Sequence, residues 1–224
     1  MQYLKILLLL CLLVPFTSFT QNVYDRFTGK PYVVVKMTEY QGTQFLFEDW
    51  KPASVMIEPG VVFKDVLLLY DIYNNLLYFK KDEKTFLFDK PVNQFEFFGD
   101  EKNPDVKMVF RKMVIDPDKK NEHEYVQVLA EGNLHLLKSR KKFLAELYEY
   151  NRATTLKEFT DVNSYHIISN DGQLIKGSLL NVAKELSKNY PAISSFTKKN
   201  GKIKSEVELT NAIIYLNNSD RKSF

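Results

Sequence analysis

Between residues 42 and 98 the apolar and aromatic positions come in short runs, each closed by a turn signal, with no stretch at helical spacing. That pattern predicts an antiparallel meander, around which the rest of the fold is laid. Residues 43–47 and 55–57 are short strand candidates separated by Asp49-Trp50-Lys51-Pro52, and the second ends at the turn dipeptide Pro59-Gly60. Residues 61–72 form the longest run. Val62, Val66, Leu68, Tyr70 and Ile72 are apolar at even positions, with Lys64 the exception, and Val61, Phe63, Leu67 and Leu69 are apolar at odd ones. A strand apolar on both faces is expected to be central and covered on both sides. Asn74-Asn75 supplies a tight turn, because Asn tolerates positive φ. Residues 76–79 and 85–88 then return antiparallel. Residues 93–97 alternate Phe95 and Phe97 against Gln94 and Glu96, as in a strand with one wet face.

Upstream, Gly29-Lys30-Pro31 reads as a turn, and residues 32–37 as a strand or a short amphipathic lead-in. Downstream, residues 106–111 alternate again. Residues 125–131 and 133–138 flank Gly132 as two strands or one bulged strand. Over 141–151 the apolar positions fit neither the helical nor the strand period, and the segment stays open between the two. Residues 164–169 and 173–176 flank Asn170-Asp171-Gly172, a hairpin signal. After Gly177 the period becomes helical. Ser178 is placed to cap a first helix through Leu179, Val182, Ala183 and Leu186. Pro191 suits the first turn of a second helix, which Asn200-Gly201 ends. Ser205 and Glu208 form a capping box for a third helix through Leu209, Ile213 and Leu216, fraying from residue 219.

The predicted fold class is therefore α+β, mainly β. An antiparallel meander sheet, curved or barrel-like, fills residues 21–177. A C-terminal helical subdomain of about three helices fills 178–218, with a tail at 219–224. So small a helical unit is marginal alone and is expected to pack on the sheet.

The N-terminus changes the picture of where this chain works. Met1 to Lys5 give a short charged region, residues 6–14 an unbroken apolar run, then Pro15 and the small residues Thr17, Ser18 and Thr20. This is the layout of a signal peptide over residues 1–20, with export to the periplasm or beyond. The run is too short for a membrane anchor, which needs ~20 apolar residues, so no transmembrane segment is expected after cleavage. Cys11, the only cysteine, lies inside the apolar run rather than after a small residue at its end, which argues against lipidation. Its removal leaves a mature chain with no disulfide or thiolate ligand. Such a chain relies on its core, and 17 Phe and 13 Tyr are available to fill one. Losing Lys5 leaves 30 basic residues against 28 acidic ones. That near balance gives no support to nucleic-acid binding.

Gly42, Asp49-Trp50-Lys51, Gly60 and Tyr70-Asp71 follow one another in that order. With the tail from 180 to 217, carrying Tyr190-Pro191, Lys198-Lys199-Asn200 and Tyr215-Leu216-Asn217, the pattern resembles a group of uncharacterised exported proteins of Gram-negative bacteria. That resemblance covers less than half of the mature chain and implies no activity, cofactor or binding residue.

Candidate chemistry is sparse. His123, His135 and His166 lie far apart in sequence, with no HExxH, so no metal site and no cofactor is expected. The acidic loop 116–124 lacks the turn glycine of an EF-hand and carries Lys119 and Lys120. Neither a GxSxG elbow nor a phosphate-binding glycine loop is present. The basic runs Lys138, Arg140, Lys141, Lys142 and Lys198, Lys199, Lys202, Lys204 read as solvated faces. Asn217-Asn218-Ser219 matches a glycosylation acceptor at a frayed end, where it carries no weight. Trp50 reads as a clamp on the first turn or as a binding aromatic. With His135 and His166 it makes the candidate ligand-binding set, and no catalytic residue is assigned. The expected function is a non-enzymatic binding or interaction protein of the cell envelope, its partner an envelope protein or a hydrophobic small molecule. The alternatives are a periplasmic carrier of a hydrophobic ligand such as a lipid, or a hydrolase with a dispersed site.

Overall fold

In a computed structural model the chain forms an eleven-stranded antiparallel sheet followed by three helices. The structure describes residues 28–37, 39–99, 107–115, 123–147 and 156–220. Residues 1–20, read above as a signal peptide, most of the acidic loop weighed for calcium and the last four residues of the tail lie outside them.

The strands are β1 (Gly29–Pro31), β2 (Lys51–Glu58), β3 (Val61–Asp71), β4 (Leu76–Lys81), β5 (Lys84–Phe88), β6 (Gln94–Phe97), β7 (Met108–Met113), β8 (Glu124–Ala130), β9 (Leu134–Leu147), β10 (Leu156–Ser169) and β11 (Leu174–Gly177). The helices are α1 (Leu179–Asn189), α2 (Ile193–Asn200) and α3 (Glu206–Asp220). The sheet runs β1-β5-β4-β3-β2-β6-β7-β8-β9-β10-β11. Apart from β1 and the place of β2, it is the predicted meander.

Gly29-Lys30-Pro31 is a strand rather than a turn, pairing with β5 from Gly29↔Phe88 to Pro31↔Phe86. A Cβ on Gly29 would run into the Leu87 carbonyl and the Phe79 ring, so close approach of the backbone selects glycine there. Pro31 is tolerated because β1 lies at the sheet's edge.

The double-sided apolar pattern of β3 has a different cause from the one expected. Ala53 faces Val66 and Val55 faces Phe63, so two residues of β3, Lys64 and Asp65, oppose one of β2, Ser54. The bulge sits at Lys64-Asp65, with Asp65 at φ 58. It shifts the side-chain phase by one residue. Phe63 before it, and Val66, Leu68 and Tyr70 after it, all enter the same core. Val62, Lys64 and Leu67 remain exposed, so the first half of β3 is covered on one face only.

The sheet curls tightly around that core. The Tyr70 ring on β3 lies 5.4 Å from Phe95 on β6, 5.7 Å from Phe110 on β7 and 5.7 Å from Tyr125 on β8. Three strands separate β3 from β8 in the ladder, so only strong curvature brings these rings together. Phe95 and Phe110 stack at 4.9 Å, with Phe97 edge-on to both. Aromatic rings therefore fill the inside of the curl.

The ladder does not close on itself. Residues 39–47, read in part as a strand, cross the gap as a strap with one bridge at each end, Gln41↔Glu158 on β10 and Phe45↔Asp71 on β3. Leu46 N–H donates to the Tyr70 carbonyl at 2.9 Å, and Phe159 N–H to the Gln41 carbonyl at 3.0 Å. Gln44 fixes the strap from below. Its amide donates to Asp71 Oδ2 at 2.8 Å and to the Val35 carbonyl at 3.2 Å, and its Oε1 accepts from Met37 N–H at 3.1 Å. On the outer side of the sheet, Phe45 and the half-buried Trp50 cover Leu69 and Tyr78.

The helices pack farther along, over β8–β11, rather than over β3. Val182, Leu186, Ile193, Leu209, Ile213 and Leu216 meet Leu134, Leu136, Tyr165 and Ile167. This is the same face of β8 and β10 that carries Tyr125 and Phe159, so one continuous inner face holds the aromatic core at one end and the helical layer at the other. The capping box forms as predicted, Glu208 N–H donating to Ser205 Oγ at 3.3 Å and Ser205 N–H to Glu208 Oε2 at 2.8 Å. Ser178 occupies the N-cap of α1 without using its hydroxyl as a cap.

Helix α3 continues through the segment expected to fray, because Asn217 is buried and clamps the β8–β9 turn. Its Oδ1 accepts from Leu134 N–H at 2.8 Å, and its Nδ2 donates to the Leu134 carbonyl at 3.0 Å and the Glu131 carbonyl at 3.4 Å. A Cβ at Gly132 would strike the Asn217 amide. An amide held this way is no glycan acceptor. Asn217→Ala should cost about 2 kcal/mol, the loss of buried hydrogen bonds to Leu134. Urea unfolding would show it as a lower midpoint at unchanged slope.

Candidate functional site

The site forms where β9 outruns β8. The β8–β9 ladder stops at Val126↔Ser139, while β9 continues to Leu147 paired only with β10. From Arg140 onward one edge of β9 is therefore without a ladder partner among the described residues, and side chains of both faces are reachable from that edge. The segment left open at 141–151 is strand as far as Leu147, and residues 148–151 lie outside the described ones. Its mixed pattern follows from this position, since neither face beyond Ser139 meets a uniform core.

Across the gap stands the β3–β4 turn. Asp71, fully buried, accepts from Asn74 N–H at 2.9 Å through Oδ1 and from Asn74 Nδ2 at 2.8 Å through Oδ2. This side-chain turn sets Tyr73 outward and Asn75 at φ 54. Tyr70 Oη donates to Asn75 Oδ1 at 3.1 Å, and Asn75 Nδ2 donates to the His123 carbonyl at 3.3 Å.

Between turn and strand lies a cleft of about 420 Å³, lined by Tyr70, Ile72, Tyr73, Asn75, His123, Glu124, Arg140, Lys141, Lys142 and Phe143. Tyr73 and Phe143 bring exposed rings to it, 39% and 53% accessible. The Tyr73 ring is held at its back by Phe159, 5.4 Å away. A second cleft of about 460 Å³ opens beyond the Asn75–His123 contact, with Leu76, Leu87, Phe88, Pro91 and Lys112 among its walls.

The four basic residues of 138–142 divide by the strand's period of two. They do not form the solvated face that their charge suggested. Lys138 is buried, with Nζ 2.5 Å from Glu206 Oε2 at the start of α3. Arg140 is half-buried, and its Nε donates to Gln127 Oε1 at 2.9 Å. Lys142 donates to the Thr43 carbonyl of the strap at 2.7 Å and lies 3.8 Å from Asp161. Lys141 alone points outward, 3.3 Å from Glu124, whose carboxylate also accepts from Ser139 Oγ at 2.9 Å. The second basic run, Lys198 to Lys204, is solvated as expected.

Burial lowers the Arg140 pKa from its ordinary value, opposed through space by Glu206, Tyr165 and Asp161. Burial also pushes the Tyr70 and Tyr165 hydroxyls well up, and Tyr125 up to about 12. Burial by itself would raise the Glu206 carboxyl. Hydrogen bonds from Lys138 and from Tyr165 Oη at 2.7 Å, with the charges of Lys138 and Arg140, outweigh it and hold Glu206 below the ordinary carboxylate value. A carboxylate whose folded pKa is depressed stabilises the fold above its unfolded pKa, and that stability is lost as pH falls through the folded value. Glu206→Gln should therefore flatten the acid limb of the stability curve below roughly pH 5, read as unfolding midpoint against pH in parallel with the parent chain.

The candidates drawn from sequence are not gathered. Trp50 packs with Phe45, Leu69 and Tyr78 on the outer side of the sheet. His135 lies opposite Ile168 and the buried His166 opposite Leu137, which makes them diagonal neighbours on the outer face of the β9–β10 hairpin. His166 Nε2 is 3.1 Å from Ser164 Oγ. Neither histidine lines the cleft. Among the described residues no group of three or more His, Cys, Asp or Glu is placed to hold a metal ion, and no helix is long and apolar enough to cross a membrane. Arg140 belongs to a basic run visible in the sequence. Nothing in the sequence pairs it with Tyr73, because their meeting depends on the curl. Comparison with known protein families, with curated proteins and with solved structures found no match to this chain.

Proposed function

We propose that this chain is an exported, non-enzymatic binding protein of the bacterial cell envelope, and that it takes a small molecule in the cleft between the β3–β4 turn and β9. The observation that carries this reading is the meeting there of two exposed rings, Tyr73 and Phe143, with the half-buried guanidinium of Arg140. Exposed aromatics beside a converging polar group are the usual composition of a ligand pocket. The leader-like residues 1–20 and the resemblance to exported proteins support the location. A carrier enclosing a lipid would need free space inside the curl, and the rings of Tyr70, Phe95, Phe97 and Phe110 stand in it. That favours an open surface cleft over an enclosed apolar cavity. The two candidate histidines His135 and His166 lie on the hairpin's outer face, away from the cleft, whose one histidine is His123 beside Glu124.

The test is a titration of the isotope-labelled mature chain with small molecules extracted from the envelope fraction. Binding should shift the amides of Tyr73, Arg140 and Phe143 and return the bound molecule chemically unchanged. No shift at these residues, or recovery of an altered molecule, would count against a binding protein acting through this cleft.

A further inference from the structure

The charges around the cleft do not balance, and the imbalance falls on one side chain. Lys141 faces Glu124, and Lys142 is held by the Thr43 carbonyl with Asp161 beyond it. Arg140 forms no ion pair among the described residues. Its only side-chain hydrogen bond there is Nε to Gln127 Oε1. Gln127 is itself buried, so the guanidinium is anchored through its inner nitrogen, leaving the two Nη groups as its open end. A guanidinium taken partly out of water without a carboxylate partner is costly in an empty site, and the cost falls when an oxyanion docks on it.

We propose that the cleft recognises a flat monocarboxylate, its carboxylate held end-on by the Nη pair of Arg140 and its apolar body between Tyr73 and Phe143. This rests on the cleft being the binding site. Three points select this class. The fork left by Arg140 matches the planar, two-oxygen edge of a carboxylate. One cation outside any direct ion pair, felt by Glu206 and Asp161 only through space, neutralises one negative charge. A phosphate dianion would need a second, and Lys141 and Lys142 are already engaged. The rings on the two walls, 39% and 53% exposed, offer flat apolar contact. Phe159 behind Tyr73 restricts that ring, so contact with it carries little ordering cost.

The experiment is a calorimetric and NMR titration of the whole mature chain with 2-naphthoate, its neutral counterpart 2-naphthamide, and inorganic phosphate. Naphthoate should bind with shifts at Tyr73, Arg140 and Phe143, at least about tenfold tighter than naphthamide, the discrimination expected of a charged hydrogen-bonded pair. Arg140→Gln should remove that preference, bringing naphthoate down to the affinity of naphthamide. Phosphate should neither bind measurably nor displace naphthoate. Equal binding of acid and amide at the cleft would overturn carboxylate recognition while leaving the cleft as a binding site. Displacement of naphthoate by phosphate would replace the carboxylate with a phosphoryl ligand. No shift at the cleft with any of these probes or with the envelope extract would remove both readings. If Arg140→Gln does not fold, the acid–amide comparison on the parent chain still decides, and Phe143→Ser, on an exposed ring, should weaken both probes alike.

Discussion

Phe95→Ala should destabilise the protein by about 3–5 kcal/mol, the largest single-residue effect expected in this fold. Four rings meet this side chain: Tyr70 at 5.4 Å, Phe97 at 5.5 Å, Phe110 at 4.9 Å and Tyr125 at 5.0 Å. They come from β3, β6, β7 and β8, and truncation leaves a void inside the curl of the open sheet, where these four strands turn their rings together. Each neighbour is held by its own strand's ladder, so the void cannot collapse without disturbing several strands at once. For a domain of this size the loss corresponds to a melting temperature lower by roughly 10 °C or more. Thermal and urea unfolding would measure it. A change under about 1 kcal/mol would mean that the interior is loosely filled, as a cavity for an apolar ligand would be.

The second large effect is at Asp71, where Asp71→Ala should cost about 3 kcal/mol, since hydrogen bonds to a buried charged group are the expensive ones to lose. Its two oxygens collect Gln44 Nε2, Asn74 N–H and Asn74 Nδ2, with no side-chain surface exposed. Without them the Gln44 amide, itself buried, loses its partner on β3, and the β3–β4 turn loses its lock. The cost should be felt locally before globally. Amide exchange should accelerate at Leu46, Ile72 and Phe159, the N–H donors that tie the strap to its neighbours. It should change least at Leu186 and Leu209 in the helical layer. Uniform acceleration would show instead that the strap and the helices open as one unit.

How far the sequence disclosed this arrangement follows from which interactions are local. The clean alternation at Phe95 and Phe97, the turns at Pro59-Gly60, Asn74-Asn75 and Asn170-Asp171-Gly172, and the Ser205–Glu208 box depend on neighbours a few residues away, and all occur as expected. Features set by distant contacts were hidden. The bulge at Asp65 changes the phase within β3, so one buried face looks like two. Residues 43–47 have a strand's composition, but they meet β3 through the single bridge of Phe45 while Gln41 makes the one to β10, and never enter a ladder of their own. Lysine at 138 looks solvated until Glu206, 68 residues later, is laid against it. The site is the extreme case. Trp50, His135 and His166 are chemically conspicuous, yet they sit on the outer side of the sheet. Arg140, Tyr73 and Phe143 are ordinary residues gathered by the curl.

The curl is thus the central claim, and its most direct measure is the contact it creates between the β3–β4 turn and β10, with five strands between β3 and β10 in the ladder. The rings of Tyr73 and Phe159 lie 5.4 Å apart. Selectively labelled Tyr and Phe should give a direct NOE between these two rings, as strong as that between Tyr70 and Phe110 at 5.7 Å. Loss of the Tyr73–Phe159 signal in a folded sample that keeps the Phe95–Phe110 one, both strands of which are adjacent, would mean that the sheet stays open and that the cleft at its seam does not form.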